Sequence, residues 1–173
     1  AMQVVEIWPG GGWYSRVLAP LLEGPLVAAH FPASAAPGAS ERRVAYFARA
    51  RAAYAEQIGS PDSALAGVQL AEFDPSQGLL SVAPASADAL LTFRNVHNWL
   101  VGDAEQRAFE LFYTALRPGG LLGVVEHRAA PGTSREAMAS SGYMTEAYVI
   151  ELATAAGFVL EASSELNANP LDS

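Results

Sequence analysis

The chain of 173 residues is long enough to bury one core of ordinary size and too short for two full domains. Its 18 acidic residues against 10 basic ones give a net charge of -8, which disfavours a surface that tracks the phosphates of DNA or RNA. With 51% hydrophobic residues, no apolar run long enough to span a bilayer and no cysteine, the sequence reads as globular, with no role for a membrane span, a thiolate, a disulfide or a cysteine-bound metal.

The first element is QVVEIW at 3–8, a short apolar run closed by Pro9 and Gly10, which predicts a strand buried on both faces. A chain that enters such a strand at its third residue is expected to lack its natural start. Apolar residues at helical spacing predict a helix over 14–23, stopped by Gly24 and Pro25, and PLVAAHF then makes a second strand. After the loop PASAAPGAS, Ser40 is placed to cap a helix over 41–58 with Val44, Phe47 and Ala48 on one face. VQLAEF at 68–73 predicts the third strand, 78–86 a loop, and ADALLTF at 87–93 the fourth strand, followed by polar RNVHN. Asp103 and Gln106 have the spacing of a capping box, and Phe109, Phe112, Tyr113 and Leu116 then recur on one helical face until RPGG. LLGVVEH at 121–127 is a fifth strand, 145–157 a helix, and FVLEASSEL a sixth strand. Strands separated by helices imply right-handed βαβ units and a Rossmann-like, doubly wound, mostly parallel α/β sheet in three layers, spanning 1–173 as one domain.

In such a sheet ligands bind beyond the carboxyl ends of the strands, and Gly10, Gly11 and Gly12 stand at one such end. Glycine lacks the Cβ that would hold a ligand away from the backbone, so a small-molecule site is the economical reading, with a tight strand-to-helix turn as the plain one. A dinucleotide fingerprint requires G-x-G-x-x-G/A and a later acid; here Ser15 takes the third glycine's place and His30 the acid's. That weakens a nicotinamide oxidoreductase.

The stretch VVEIWPGGGWYS, with Glu6 ending the strand and spaced glycines after it, resembles instead the first motif of S-adenosylmethionine-dependent methyltransferases. ADALLTFRNVHNWL, opened by Asp88, resembles that family's fourth motif, and ALRPGGLLGVVEHR its next landmark. The set EIWPGGGWY, LTFRNVHNW, SGYMTEAYVI and NANP is similar to a bacterial group of methyltransferases. The resemblance implies cofactor contacts from Glu6, Trp8, Pro9, Gly10, Gly11 and Gly12, from His30, from Phe73 and Asp74, and from Arg94 and Asn95. It also implies a last antiparallel strand between strands five and six, which the closing residues NANPLDS cannot supply, so the domain is expected to be incomplete at both ends.

Two positions depart from the family's pattern: Trp8 stands where a first glycine is usual, and His30 where an acid usually holds the ribose. For His30 a surface position is the alternative, and for Asp74 a turn cap beside Pro75. Methyl transfer from an activated sulfonium needs alignment and exclusion of water, and no metal. A hydroxyl, protonated amine or acidic carbon acceptor also needs a base, for which His97 is the candidate, with Asn98, His127 and Tyr143 as acceptor contacts and Trp99 and Tyr148 as further pocket aromatics. A metal site from His97, Glu126 and His127 has the ligand types without a compact motif. The expectation is a cytoplasmic methyltransferase acting on a small molecule, without nucleic-acid or membrane partners. An exported form, and a non-catalytic scaffold on the same fold, stay open.

Overall fold

A computed structural model describes residues 1–34 and 36–169. Two strands consist wholly of buried residues, β1 (Val4–Ile7) and β2 (Leu26–His30), as their unbroken apolar runs require when both sheet faces are covered. With β3 (Gln69–Asp74), β4 (Leu79–Leu80), β5 (Ala87–Phe93) and β6 (Leu116–Val125) they form one sheet of order β4-β3-β2-β1-β5-β6. Every pairing is parallel except β3 with β4. The chain runs outward from β1 to β3, then returns to the other side of β1 with β5, so the switch point of the sheet lies between β1 and β5.

Helices cover both faces. On one, Tyr54 of α2 (Glu41–Gly59) and Leu65 pack on Val4, Leu26 and Ala28, with Leu18 of α1 (Trp13–Leu18) alongside. On the other, Phe109 and Phe112 of α4 (Glu105–Ala115), Trp99 of α3 (Val96–Leu100), Met138 of α5 (Arg135–Ser141) and Leu152 of α6 (Glu146–Ala156) pack on Val5, Ile7 and Leu90. The layers are therefore those of a Rossmann-like αβα fold. Asp88 ties the amino ends together: its carboxylate accepts from Gln3 N at 2.6 Å and pairs with Arg117 at 2.6 Å.

The capping signal at Ser40 holds, a cap not expected forms at Thr145, and the capping box at Asp103 fails. Ser40 accepts from Arg43 N at the start of α2, and Thr145 from Tyr148 N at the start of α6, which Gly157 ends with φ +110°. The capping box at Asp103 does not form. Asp103 is drawn instead to Arg135 at 2.6 Å, and α4 starts from Ala104 without a side-chain cap. Arg135 also meets Glu105 at 2.8 Å, and Glu105 accepts from the Tyr148 hydroxyl at 2.8 Å, so these charges join α4, α5 and α6.

Other expectations need correction. The loop over 78–86 contains β4, because Gly78 at φ +64° turns the chain back along β3. The first helix gives way to a 3₁₀ turn at Ala19–Leu21, where Pro20 removes a backbone donor. Polar RNVHN carries α3, and α5 carries no apolar stripe that marked it in the sequence. FVLEASSEL is not a strand: Val159 is 90% and Leu166 91% exposed. An extended segment persists in a sheet only where a neighbour takes its backbone hydrogen bonds, and among the described residues no strand lies on the outer side of β6. The stretch NANPLDS reaches into 170–173, which lie outside the described residues.

Candidate active site

The three glycines divide between two jobs. Gly10, at φ +59°, and Gly11 face open space, since a Cβ built on either meets nothing within 4 Å. Gly12, at φ +81°, is buried, and a Cβ there would stand 3.0 Å from the Tyr54 ring and 3.1 Å from Leu65. The first pair opens the backbone to a ligand; the third lets α1 seat against α2. Gly12, expected among the cofactor contacts, is thus a packing glycine.

Gly10 and Gly11 border a cleft of about 530 Å³ at the switch point. At its base Glu6, 1% exposed, accepts from Ser15 Oγ at 2.6 Å through Oε2, and Ser15 in turn accepts from the Tyr54 hydroxyl at 2.8 Å. Glu6 Oε1 has no hydrogen-bond partner. Burial pushes this carboxyl up to about 7, against the lowering effect of the Ser15 bond. A buried carboxylate oxygen left unsatisfied beside open backbone is suited to a cationic donor such as an ammonium group.

The other end of the cleft holds His97. Its Nδ1 lies 3.2 Å from Glu126 Oε2, while Glu126 Oε1 accepts from Val96 N at 2.7 Å, so one carboxylate fixes both the start of α3 and the imidazole. The Glu126 side chain is 7% exposed and that of His97 23%, which leaves Nε2 as the ring nitrogen for the cleft. The ring passes beside Gly142, where a Cβ would come 3.6 Å from His97 Cδ2. His127 and Tyr143 line the same cleft, their rings 5.1 Å apart. Arg94 lines it from a left-handed backbone at φ +58°, and Asn95 holds the floor by donating to Ile7 O at 3.0 Å and Thr92 Oγ1 at 3.2 Å. Pro9 and Trp8 complete the glycine side.

Trp8 forms the boundary of the site. Its indole donates to Phe73 O at 2.9 Å and packs against Phe31, Phe73 and Trp99 at centroid distances of 4.9, 5.8 and 5.8 Å. No residue of β2 or β3 lines the cleft. His30 is 0% exposed: Nδ1 accepts from Phe31 N at 2.8 Å, and Nε2 points at Gly10 O at 3.4 Å. It is buried and does not line the cleft, as the expected ribose contact would, nor does it lie at the surface, which is the alternative. Burial pushes it down to about 4, with the Gly10 carbonyl opposing and Arg51 adding to the shift. Phe73 is wholly buried in the aromatic core. Asp74, also buried, caps a turn through Ser76 N at 3.0 Å, Ser76 Oγ at 2.6 Å and Gln77 Nε2 at 3.0 Å; the hollow beside it measures about 30 Å³, room for a water or two.

Asn98 is exposed, lies outside the cleft and donates to Arg94 O at 3.4 Å. Trp99 is in the core and Tyr148 is engaged by Glu105, so neither is a pocket aromatic. Glu126 turns to His97 and its neighbour His127 to Tyr143, as alternation along an extended chain requires. Among the described residues no group of three or more acidic or histidine side chains is placed to hold a metal ion, and no described helix is long and apolar enough to cross a membrane. Sequence reasoning passed over Trp13, Tyr14 and Phe93, all of which line the cleft. Their signal was position: each directly adjoins a loop at the carboxyl edge of the sheet.

No protein-family model matches this chain, and no curated protein does. Solved structures do. The chain is similar to phosphoethanolamine N-methyltransferase 2 of Haemonchus contortus, in complex with phosphomonomethylethanolamine and S-adenosylhomocysteine, at 18% identity and a TM-score of 0.62, covering 92% of this chain and 33% of that one. It is similar to the [4+2]-cyclase SpnF at 17% identity and a TM-score of 0.64, over 91% of this chain and 52% of that one. A third likeness, at 20% identity and a TM-score of 0.59, is to an S-adenosylmethionine-dependent methyltransferase from Mesorhizobium loti, covering 99% and 80%. The chain thus spans between a third and about half of the first two proteins, and at these identities what it shares with all three is the Rossmann-like fold.

Proposed function

We propose that this chain binds S-adenosylmethionine at the switch-point cleft and transfers its methyl group to a small-molecule acceptor. The observation that carries the reading is Glu6 Oε1, a buried carboxylate oxygen without a partner, next to the open backbone of Gly10 and Gly11. Glu6 would hold the ammonium of the methionyl end, the two glycines would let that end lie against the backbone, and Arg94 and Asn95 would face it from β5. When bound, the cofactor supplies an already activated methyl group on a sulfonium. The protein has then to orient the acceptor and take its proton, and His97 is the base within the cleft. Beyond Trp8 the fit is different in kind, because no carboxylate at the end of β2 or β3 reaches the cleft, so ribose binding would rest on backbone and on β5.

Titration of the purified protein with S-adenosylmethionine and with NAD by calorimetry tests the proposal. Binding of the first alone supports it; binding of NAD alone would replace it with a nicotinamide enzyme. The likeness to a [4+2]-cyclase favours keeping one further reading, in which the fold serves a reaction other than methyl transfer. Cofactor binding without label transfer into a broad metabolite pool would select it, and binding of neither ligand would select a scaffold.

A further inference from the structure

Two pairs of rings line the same cleft. Tyr14 of α1 stacks on Phe93 of β5 with centroids 3.8 Å apart and planes within 8°, and Trp13 stands edge-on to Tyr14 at 4.6 Å. From the segments after β6 and before α6 come His127 and Tyr143. Trp13 is 65% exposed, an unusual state for the largest side chain, and its ring borders the opening. Flat rings in such numbers favour a flat ligand, because stacked and edge-to-face arrangements add to the gain from burial alone.

The charges there narrow the class. Arg94 lines the same cleft, so an oxygen that gains negative charge as it reacts is favoured there. Glu126 lies behind His97 at Nδ1, so Nδ1 carries the proton that the carboxylate accepts and, in the neutral ring, Nε2 carries the lone pair. That is the tautomer able to receive a proton from a hydroxyl.

We infer that the aromatic lining of the cleft binds a planar aromatic alcohol, and that Glu126 acts as the positioning residue that keeps His97 in its proton-accepting form. The inference rests on the methyl-transfer reading for its chemistry, though not for the binding of the alcohol. In the transfer, His97 Nε2 takes the hydroxyl proton as the oxygen bonds to the methyl carbon, and the pair of the broken carbon–sulfur bond stays on sulfur, leaving a neutral thioether.

The test uses 2-naphthol and its saturated counterpart 2-decalol as probes, titrated by calorimetry with and without S-adenosylhomocysteine. Saturable binding of 2-naphthol is expected, about tenfold tighter than 2-decalol, as one or two ring contacts would give. Trp13→Ala, at an exposed position that leaves the core untouched, should reduce that preference severalfold. No binding of 2-naphthol, or equal affinity for both alcohols, overturns the aromatic slot. Failure of S-adenosylhomocysteine to bind would remove the methyl-transfer reading while the two alcohols still judge the slot. For Glu126, the substitution Glu126→Gln keeps an acceptor for Val96 N but offers an amide N–H to Nδ1, so Nε2 becomes the protonated nitrogen. Label transfer to 2-naphthol should then fall about 10²-fold in kcat with KM and cofactor affinity unchanged. A variant with wild-type kcat, or one that loses affinity and stability instead, overturns the positioning role.

Discussion

On the β2–β3 side of Trp8 the carboxyl edge of the sheet is closed by Phe31, Phe47, Phe73 and Trp99, and the His30 and Asp74 side chains there are taken up by the chain's own groups. On the β5–β6 side the same edge is open, and of the polar side chains that line the cleft Glu6 keeps Oε1 without a partner and His97 is held through Nδ1. His30 and His97 make the contrast plain. His30 ends β2 and His97 follows β5 of the same sheet, yet His30 spends both nitrogens on backbone at zero exposure, and His97 is held by one nitrogen at the cleft. A histidine's chemistry is decided by which nitrogen its surroundings occupy, more than by its place along a motif.

The largest expected difference between the two sides is in turnover. His97→Ala should slow methyl transfer by about 10²- to 10⁴-fold, the range for a positioned acid–base group, with S-adenosylmethionine affinity nearly unchanged. His30→Ala should instead lower stability by about 2–4 kcal/mol, as a buried truncation does, read as a shifted denaturation midpoint. Equal turnover of wild type and His97→Ala would take His97 out of the mechanism; a kinetic defect in a stable His30→Ala protein would erase the contrast.

The glycines sharpen the same division. Gly10→Val places a branched side chain in the open space of the cleft and should weaken cofactor binding at least about 10²-fold, the loss that accompanies two or more blocked backbone contacts. Gly12→Ala meets Tyr54 and Leu65 instead and should cost about 1–3 kcal/mol of stability with affinity little changed. Calorimetry and denaturant melts on the folded variants decide both. A folded Gly10→Val protein with wild-type affinity would move the ligand elsewhere.

Glu6 and His30 should also divide by pH. Glu6 is raised in the folded state, so its contribution is fully present below about 4.5 and is lost as pH rises through about 7. His30 is lowered, so its contribution is present above about 6.5 and is lost as pH falls toward 4. Each is worth of order 3 kcal/mol, and in the wild type the two slopes largely offset one another. In Glu6→Gln the His30 slope should stand alone, with stability falling by that amount from pH 6.5 to 4. A ligand ammonium at Glu6 must meet the ionised carboxylate, so S-adenosylhomocysteine binding should release close to one proton at pH 6 and little at pH 8.5. Matched calorimetry in buffers of different ionisation enthalpy would show this, and binding without proton release at pH 6 would separate Glu6 from the ammonium.

How much of this was legible depends on whether a residue's role is set locally. The buried strands, the Ser40 cap and the switch-point site follow from apolar runs, capping chemistry and strand order, all properties of short stretches. The closure of the β2–β3 side was not legible, because the burial of His30 depends on Tyr54 and Phe31 and on how Trp8 turns inward, which are meetings between distant segments. The run FVLEASSEL has the composition of a strand and none of the pairing, since pairing belongs to the neighbour as much as to the segment. The pairing of Glu126 with His97 and the place of Tyr14 escaped for the same reason: each is a contact with a distant residue, His97 and Phe93.

Asp74 offers the smallest effect and a direct test of the boundary at Trp8. The resemblance to methyltransferases puts it near the nucleoside, whereas in the fold its carboxylate is taken up by Ser76 and Gln77 and it lies outside the main cleft. As a cap, it should behave like other side-chain caps: Asp74→Ala should cost about 1 kcal/mol of stability and Asp74→Asn less, because an amide oxygen can still accept from Ser76 N. Neither should change S-adenosylmethionine affinity by more than about twofold, since a lost nucleoside contact to a charged group would cost roughly tenfold or more. A tenfold loss in a protein whose melting is nearly unchanged would mean that the ligand reaches past Trp8. The aromatic wall would then have to open on binding, and the two sides of the sheet edge would form one site.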